Sequence, residues 1–523
     1  MDAIALSIFS SRIEAVCDEM GAVLKRVAFS PNIKDRLDFS CAVFDTQGEL
    51  CAQAAHIPVH LGSMAYAAQD IVSSIEWSPG DIVVLNDPYL GGTHLPDVTL
   101  ISPVYLGNDL LGFVANRAHH ADIGASTPGS MPVSSKLSQE GLVIPPTHLA
   151  RKGDVDSVEM NRLLDALQNK AQSFGDFSAQ ISANQRGVQR LLELVTGLGK
   201  SEYQQGLRAL NDYASRVAKE ALKEIKDGVY EFTDYMDDDG QGNKNIPVKA
   251  TITAAQGNIL VDFKGTAKQV EGNINCPLSV AAAAVYYVFR CLMPENTPAC
   301  AGSFRHIRFV AEKGSLLNAQ RPAAVAAGNV ETSTRVVDVV MGALVQAIPD
   351  KIPAASQGSM NNLAMGSAGS ANRRAWDYYE TMGGGMGASH LYNGLSGVQT
   401  HMTNTLNTPV EVLEMNYPLR VNQYALRQDS AGKGMQKGGE GVIRSYTLLQ
   451  DTHVTLLTER RTQQPWGISG GEIDNRVNNN SVVNAASGQN LVNEEVCQAK
   501  FSRELKAGDC LTIKTPGGGG YSN

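Results

Sequence analysis

Residues 86–100 read N-D-P-Y-L-G-G-T-H-L-P-D-V-T-L, and residues 115–125 read A-N-R-A-H-H-A-D-I-G-A. Between them lie two apolar runs, Val98 to Leu106 and Leu110 to Ala118, separated by a Gly107–Asp109 turn, which is the pattern of a β-hairpin. A hairpin returns the chain to its starting edge, so His119 is expected beside Asp97 and His94 despite the separation in sequence. Six of the ten histidines (His56, His60, His94, His119, His120 and His148) fall in this part of the chain. Imidazole nitrogens and carboxylate oxygens converging from strand ends suit a borderline divalent metal such as zinc or manganese.

Outward from the hairpin, residues 3 to 27 place apolar side chains at three- and four-residue steps and predict an amphipathic helix. D-F-S-C-A-V-F-D-T-Q-G-E-L-C-A-Q (38–53) reads as two short strands around a turn, with Asp45 as turn former and Asp38 entering the first strand. His56 and His60 flank Pro58, so both are expected in extended backbone, followed by an apolar helix to Ile75. Asn86 and Asp87 end a buried strand, where functional groups are often held. Residues 125–148, rich in Gly, Ser and Pro, read as a covering loop, with Glu140 and His148 as further candidates for proton transfer or ligation.

Residues 155–227 are helical in pattern, and 228–275 alternate as strands. Asp237 to Asp239 suit a turn better than a calcium loop. An Ala-rich helix over 280–292 follows, then a helix capped by Asn329 or Thr332. E-T-M-G-G-G-M-G-A (380–388) lacks the Lys-Ser/Thr of a phosphate-binding loop and reads as close backbone packing. The last third is strand-rich. The expected fold is a mixed α/β (α+β), multidomain chain: a metal-bearing domain over 1–150, a helical section over 151–227, an α/β domain over 228–330 and a Gly-rich, strand-rich domain over 331–523.

The chain has 523 residues, 43% of them hydrophobic and 19% charged, with a net charge of -9. No basic stripe argues for nucleic acid or an anionic membrane. No apolar run reaches the length of a membrane helix, and no secretory signal is evident. Eight cysteines without framework spacing suit reduced thiols in the cytoplasm.

The segments S-P-N-I-K-D-R-L-D-F-S (30–40), H-I-P-V-H-L-G-S-M (56–64), N-D-P-Y-L-G-G-T-H-L-P-D-V (86–98), N-R-A-H-H-A-D-I-G (116–124), E-R-R-T-Q-Q-P-W-G (459–467) and the terminal T-P-G-G-G-G-Y (515–521) together resemble the B subunits of the hydantoinase/oxoprolinase family. That family includes N-methylhydantoinase B subunits, the C-terminal half of 5-oxoprolinase, lactam hydrolases, and acetone and acetophenone carboxylase subunits. The resemblance implies one divalent metal held by His94, Asp97 and His119 or His120, with His119 preferred, and Asp38 as a further ligand. It implies that His120 and Asp122 orient the ligands or move protons; the residues themselves offer Glu140 as a further catalytic candidate and His60, Asp87 and His148 as supporting groups around the metal. It also implies an A-type ATPase partner that binds ATP-Mg, in a hetero-oligomer acting on a small cyclic amide. The alternatives are a subunit of an ATP-dependent ketone carboxylase acting on a phosphorylated enolate, and a scaffold that only stabilises the ATPase.

Overall fold

The computed structural model describes residues 1–54, 57–369, 375–474 and 482–522. His56 lies outside them. The chain is mixed α/β with several sheets. It opens with helix α1 (Ala3–Val27), the short α2 (Pro31–Lys34), strands β1 (Phe39–Phe44) and β2 (Leu50–Gln53), helix α3 (Pro58–Ser73), then β3 (Ile82–Leu85), β4 (Asp97–Leu106), β5 (Asp109–His119), β6 (Thr147–Arg151) and β7 (Asp154–Val155). These strands form one antiparallel sheet in the order β2-β1-β5-β4-β3-β6-β7.

The period-two alternation of the strands decides what covers each face. Phe39, Cys41 and Val43 of β1, with Val114 and Ala118 of β5, pack against α1 and the long helices α5 (Lys170–Leu198) and α6 (Lys200–Leu222), which follow α4 (Ser157–Asp165). Ala42, Phe44, Phe113 and Ala115 face the other way, onto Met64, Ala67, Ala68 and Ile71 of α3. Helices of the 157–222 segment thus share a core with the sheet built from 39–155.

Beyond α6, β8 (Gly228–Asp238), β9 (Lys244–Ala255), β10 (Asn258–Asp262) and β11 (Ile307–Val310) make a second sheet. It shares a core with α7 (Leu278–Cys291) and α8 (Ser333–Val345). A π-helical turn, Gly328–Thr332, leads into α8. Neither Asn329 nor Thr332 caps α8 with its side chain. The expected cap is replaced because the Asn329 amide reaches toward Asp97 and the Thr332 hydroxyl donates to the Ile274 carbonyl.

In the last third, β12 (Asn362–Ser367) and β13 (Trp376–Glu380) join strands 452–457 and 500–505 in one sheet. It shares an apolar core with a second, five-stranded sheet that includes strands 419–427, 441–448 and 510–514. The glycines of 383–387 lie where other backbone passes close. A Cβ at Gly385 would collide with Gly439 and Gly518, and one at Gly387 with the Ala354 carbonyl, so no larger residue fits without displacing main chain.

Candidate metal centre

Strands β4 and β5 pair with Asp97 opposite His119, the register that the hairpin pattern requires. The Gly91–Gly92 turn before β4 places His94 one short turn ahead of Asp97, and the His94 carbonyl accepts from the Asp97 amide at 3.1 Å. The start of β1 runs beside the end of β5, and the His119 amide donates to the Asp38 carbonyl at 3.0 Å. Helix α3 supplies His60 from its first turn. The expectation of extended backbone there is corrected for His60, because Pro58 takes the first helical position, where a missing N–H costs nothing.

Asp97 is the hub, and it is fully buried. His94 Nε2 approaches its Oδ1 at 3.0 Å, His119 Nδ1 lies 3.1 Å from the same oxygen, and His60 Nε2 lies 3.2 Å from Oδ2. Thr93 Oγ1 donates to Oδ2 at 2.6 Å, and Asn329 Nδ2 reaches it at 3.4 Å. Asp38 lines the same cavity, its Oδ1 3.9 Å from His60 Nε2. The ring of Tyr379 stacks on His119 with centroids 4.6 Å apart and planes 15° apart, and its hydroxyl donates to Asn362 Oδ1 at 2.6 Å.

Electrostatics follow from that packing. Burial would raise the Asp97 pKa, but the facing His94 and His60 outweigh it and hold the carboxyl well below its usual range. Burial works against a charge on His94, yet Asp97 overcomes it and lifts the pKa above the ordinary imidazole value. At His119 burial wins, and the pKa is lowered.

The donor set fits a divalent cation. One ligand atom from each of His94, Asp97 and His119 can be chosen so that all lie within 4.8 Å of one another, in a buried pocket. Buried His119 Nε2 lacks a hydrogen-bond partner, an arrangement that costs free energy unless something else binds it, and His94 Nε2 faces only the Asp97 carboxylate, 3.0 Å away. The Ala326 carbonyl lies 3.3 Å from His94 Nδ1, where it can accept that ring N–H and leave Nε2 to share a proton, or a cation in its place, with Asp97 Oδ1.

The other candidate residues go elsewhere. His120 turns to the opposite face of the hairpin, with Nε2 2.9 Å from Gln180 Oε1 and its ring against Phe177. Asp122 accepts from the amides of Gly124, Gln168 and Asn169, fixing the approach to α5. Glu140 Oε1 accepts from Ser134 Oγ and from the amides of Val325 and Ala326, so it braces the turn whose carbonyl meets His94. Burial raises its pKa to about 7. Asp87 accepts from the Tyr89 amide and pairs with Arg321. His148 sits on β6 between Asp81 and Arg151. Sequence reasoning missed Asn329 and Tyr379; each comes from a distant segment, and neither stands in a ligand-like spacing.

A buried carboxylate ringed by imidazoles is a group that could hold a divalent ion. The chain belongs to the hydantoinase B/oxoprolinase family, whose model matches residues 2–523. It is 38% identical over 533 residues to an uncharacterized protein of Methanocaldococcus jannaschii, a match covering 100% of this chain and 91% of that protein. It is 37% identical over 543 residues to a 5-oxoprolinase of Dictyostelium discoideum, covering 100% of this chain but 40% of that longer protein. The crystal structure of the ATP-dependent caprolactamase from Pseudomonas jessenii superposes with a TM-score of 0.90 at 25% identity, covering 100% of this chain and 91% of that one.

Proposed function

We propose that this chain is the metal-bearing subunit of an ATP-dependent cyclic amide hydrolase, opening a ring amide whose carbonyl oxygen a partner ATPase has phosphorylated. The observation that carries this reading is the buried His94–Asp97–His119 group with its unpartnered His119 Nε2. Asp38 and His60, lining the same cavity, complete the set that would hold one zinc or manganese ion. The ion would supply a Lewis acid that polarises oxygen and acidifies water.

The chain's own residues do the positioning. Ala326 sets the His94 tautomer, Thr93 and Asn329 hold the Asp97 carboxylate, and Tyr379 fixes the plane of His119. Ile57, Val59, Val330, Met360 and Met402 wall the cavity and exclude bulk water. An unactivated amide resists attack because nitrogen donation stabilises it; phosphorylation of its oxygen removes that protection. The sequence carries no phosphate-binding loop, so ATP-Mg is assigned to an A-type ATPase partner in a hetero-oligomer. The larger size of the 5-oxoprolinase relative supports a division in which this chain is one of two functional parts. Among the described residues no helix is long and apolar enough to cross a membrane. All eight cysteines are free thiols, which supports a reducing compartment such as the cytoplasm.

The test is elemental analysis of the purified chain, followed by ring-opening assays with ATP and the ATPase partner. Near one divalent ion per chain and ATP-dependent hydrolysis without bicarbonate support the reading. Dependence on bicarbonate would move the protein to the ketone carboxylases, and a metal-free chain purified without chelator would leave the scaffold reading.

A further inference from the structure

Just before β1 the chain carries two opposite charges to the metal cavity by different routes. Leu37 holds φ at 56°, a left-handed backbone uncommon outside glycine, and the Phe39 amide donates back to the Leu37 carbonyl at 2.9 Å. That reversal leaves Asp38 lining the cavity and Arg36 behind its wall. Arg36 is fully buried. Its N–H groups donate to the Leu406 and Tyr379 carbonyls, to Asn32 Oδ1 and to the hydroxyls of Thr381 and Thr405, and it makes no ion pair among the described residues. Its Cζ lies 4.8 Å from the centre of the Tyr379 ring that stacks on His119.

Two hydroxyls stand between this cation and the cavity. Thr381 Oγ1 accepts from Arg36 Nη2 at 3.2 Å and from Gln399 Nε2 at 3.4 Å, which occupies both of its lone pairs. Its own proton therefore crosses the 2.7 Å contact to Thr405 Oγ1, which also accepts from Arg36 Nη2 at 3.3 Å. The Thr405 lone pairs are then filled, and its proton has no acceptor among the described residues. Thr381 and Thr405 both line the metal cavity, whose volume of about 20 Å³ admits an ion or one small atom. A guanidinium donating to the Thr405 oxygen polarises the hydroxyl and strengthens it as a donor.

The charges around the cavity also call for an anion. Asp38 and Asp97 are opposed by two buried guanidiniums, Arg36 and Arg117. Arg117 is held by the Thr99 and Ser63 hydroxyls and the Gly91 carbonyl, within reach of the Asp97 charge. These fixed charges cancel, so a divalent ion held by neutral imidazoles leaves uncompensated positive charge in a buried site, which an anion offsets.

We propose that Thr405, backed by Arg36, is a donor on the wall of the metal cavity that holds one anionic oxygen of the substrate. Thr405 touches that oxygen, and Arg36 and Thr381 position the Thr405 hydroxyl. The inference rests on the hydrolase reading, in which two groups bring such an oxygen: the phosphoryl group of the activated amide and the carboxylate that ring opening releases.

Fluoride, a one-atom anion, is the first probe, titrated into the full chain supplied with zinc and followed by fluorine NMR. Wild type is expected to bind it roughly tenfold or more tightly than Thr405→Val, with Thr405→Ser restoring most of the affinity and zinc content equal in all three. Arg36→Met should lose as much; if it does not fold, the Thr405 variants carry the test. Displacement of fluoride by methyl phosphate or by acetate is also expected, and the stronger competitor names the source of the oxygen. Fluoride binding that ignores Thr405→Val, zinc lost together with fluoride in that variant, or competition by neither oxyanion would overturn the proposal. A wild type that takes up no divalent ion sinks the hydrolase reading instead, and the subsite stands if fluoride binding still requires Thr405 and falls if it does not.

Discussion

Asp97 and His119 are register partners across the β4–β5 ladder, and the His119 Nδ1 nitrogen lies 3.1 Å from Asp97 Oδ1 in a buried pocket. The pair is held by backbone pairing rather than by a loop, so it is rigid before any ligand arrives. Substitution at either residue is therefore expected to read out on metal content before it reads out on fold. Asp97→Asn keeps the shape, and His119→Ala leaves the ladder intact. Each should lose most bound zinc or manganese while retaining the wild-type circular dichroism spectrum. Full metal occupancy in both folded variants would remove the site assignment.

His120 supplies the matching control, because its ring faces Gln180 and Phe177. His120→Ala breaks one buried hydrogen bond and opens a gap against Phe177, at a cost of roughly 1–3 kcal/mol. The expected outcome is a lower denaturation midpoint with unchanged metal stoichiometry. Loss of the ion in a folded His120→Ala protein would shift the ligand from 119 to 120.

Tyr379 touches the cluster only by stacking on His119, and its hydroxyl is tied to Asn362. Tyr379→Leu frees the imidazole plane and should weaken metal binding by about 10- to 100-fold, the usual range for groups that orient ligands. Tyr379→Phe, which keeps the ring, should recover most of that loss. Competition with a fluorescent chelator measures both, and equal affinities for wild type and Leu variant would reject the positioning role.

Metal uptake should be linked to protons. With no cation bound, Asp97 raises the His94 pKa above the ordinary imidazole value despite burial. A protonated ring must release its proton to ligate. Apparent metal affinity is thus expected to fall as pH drops through the His94 pKa, with proton release seen when calorimetry is repeated in buffers of different ionisation enthalpy. No release on the acid side of that pKa would contradict the arrangement.

Glu140 provides a pH dependence of stability. Its pKa, raised by burial from 4.5 to about 7, means the folded chain binds a proton that the unfolded chain releases between those values. The stabilisation is fully present below about pH 4.5 and fades as pH rises toward 7. The shift corresponds to an order of 3 kcal/mol, at about 1.4 kcal/mol per unit. Glu140→Gln should flatten this part of the profile in denaturant titrations at pH 5 and 7; an unchanged slope would show that Glu140 is ionised throughout.

The sequence by itself determined the hairpin, and with it the meeting of His94, Asp97 and His119. Two apolar runs of matched length place Asp97 opposite His119; the structure keeps that pairing with a two-residue turn at Gly107 and a register shift between Val104 and Tyr105. It also determined the first helix, whose three- and four-residue apolar steps need no partner to be read. Strand alternation puts His120 opposite His119, but the tertiary structure alone decided that Gln180 and Phe177 of α5 receive it there. It decided too that His60 enters from a helix, and that Asn329 and Tyr379 arrive from segments hundreds of residues downstream. Those contacts depend on how separate elements pack. Packing is set by complementary shape and burial among distant side chains, which leave no local periodicity to read.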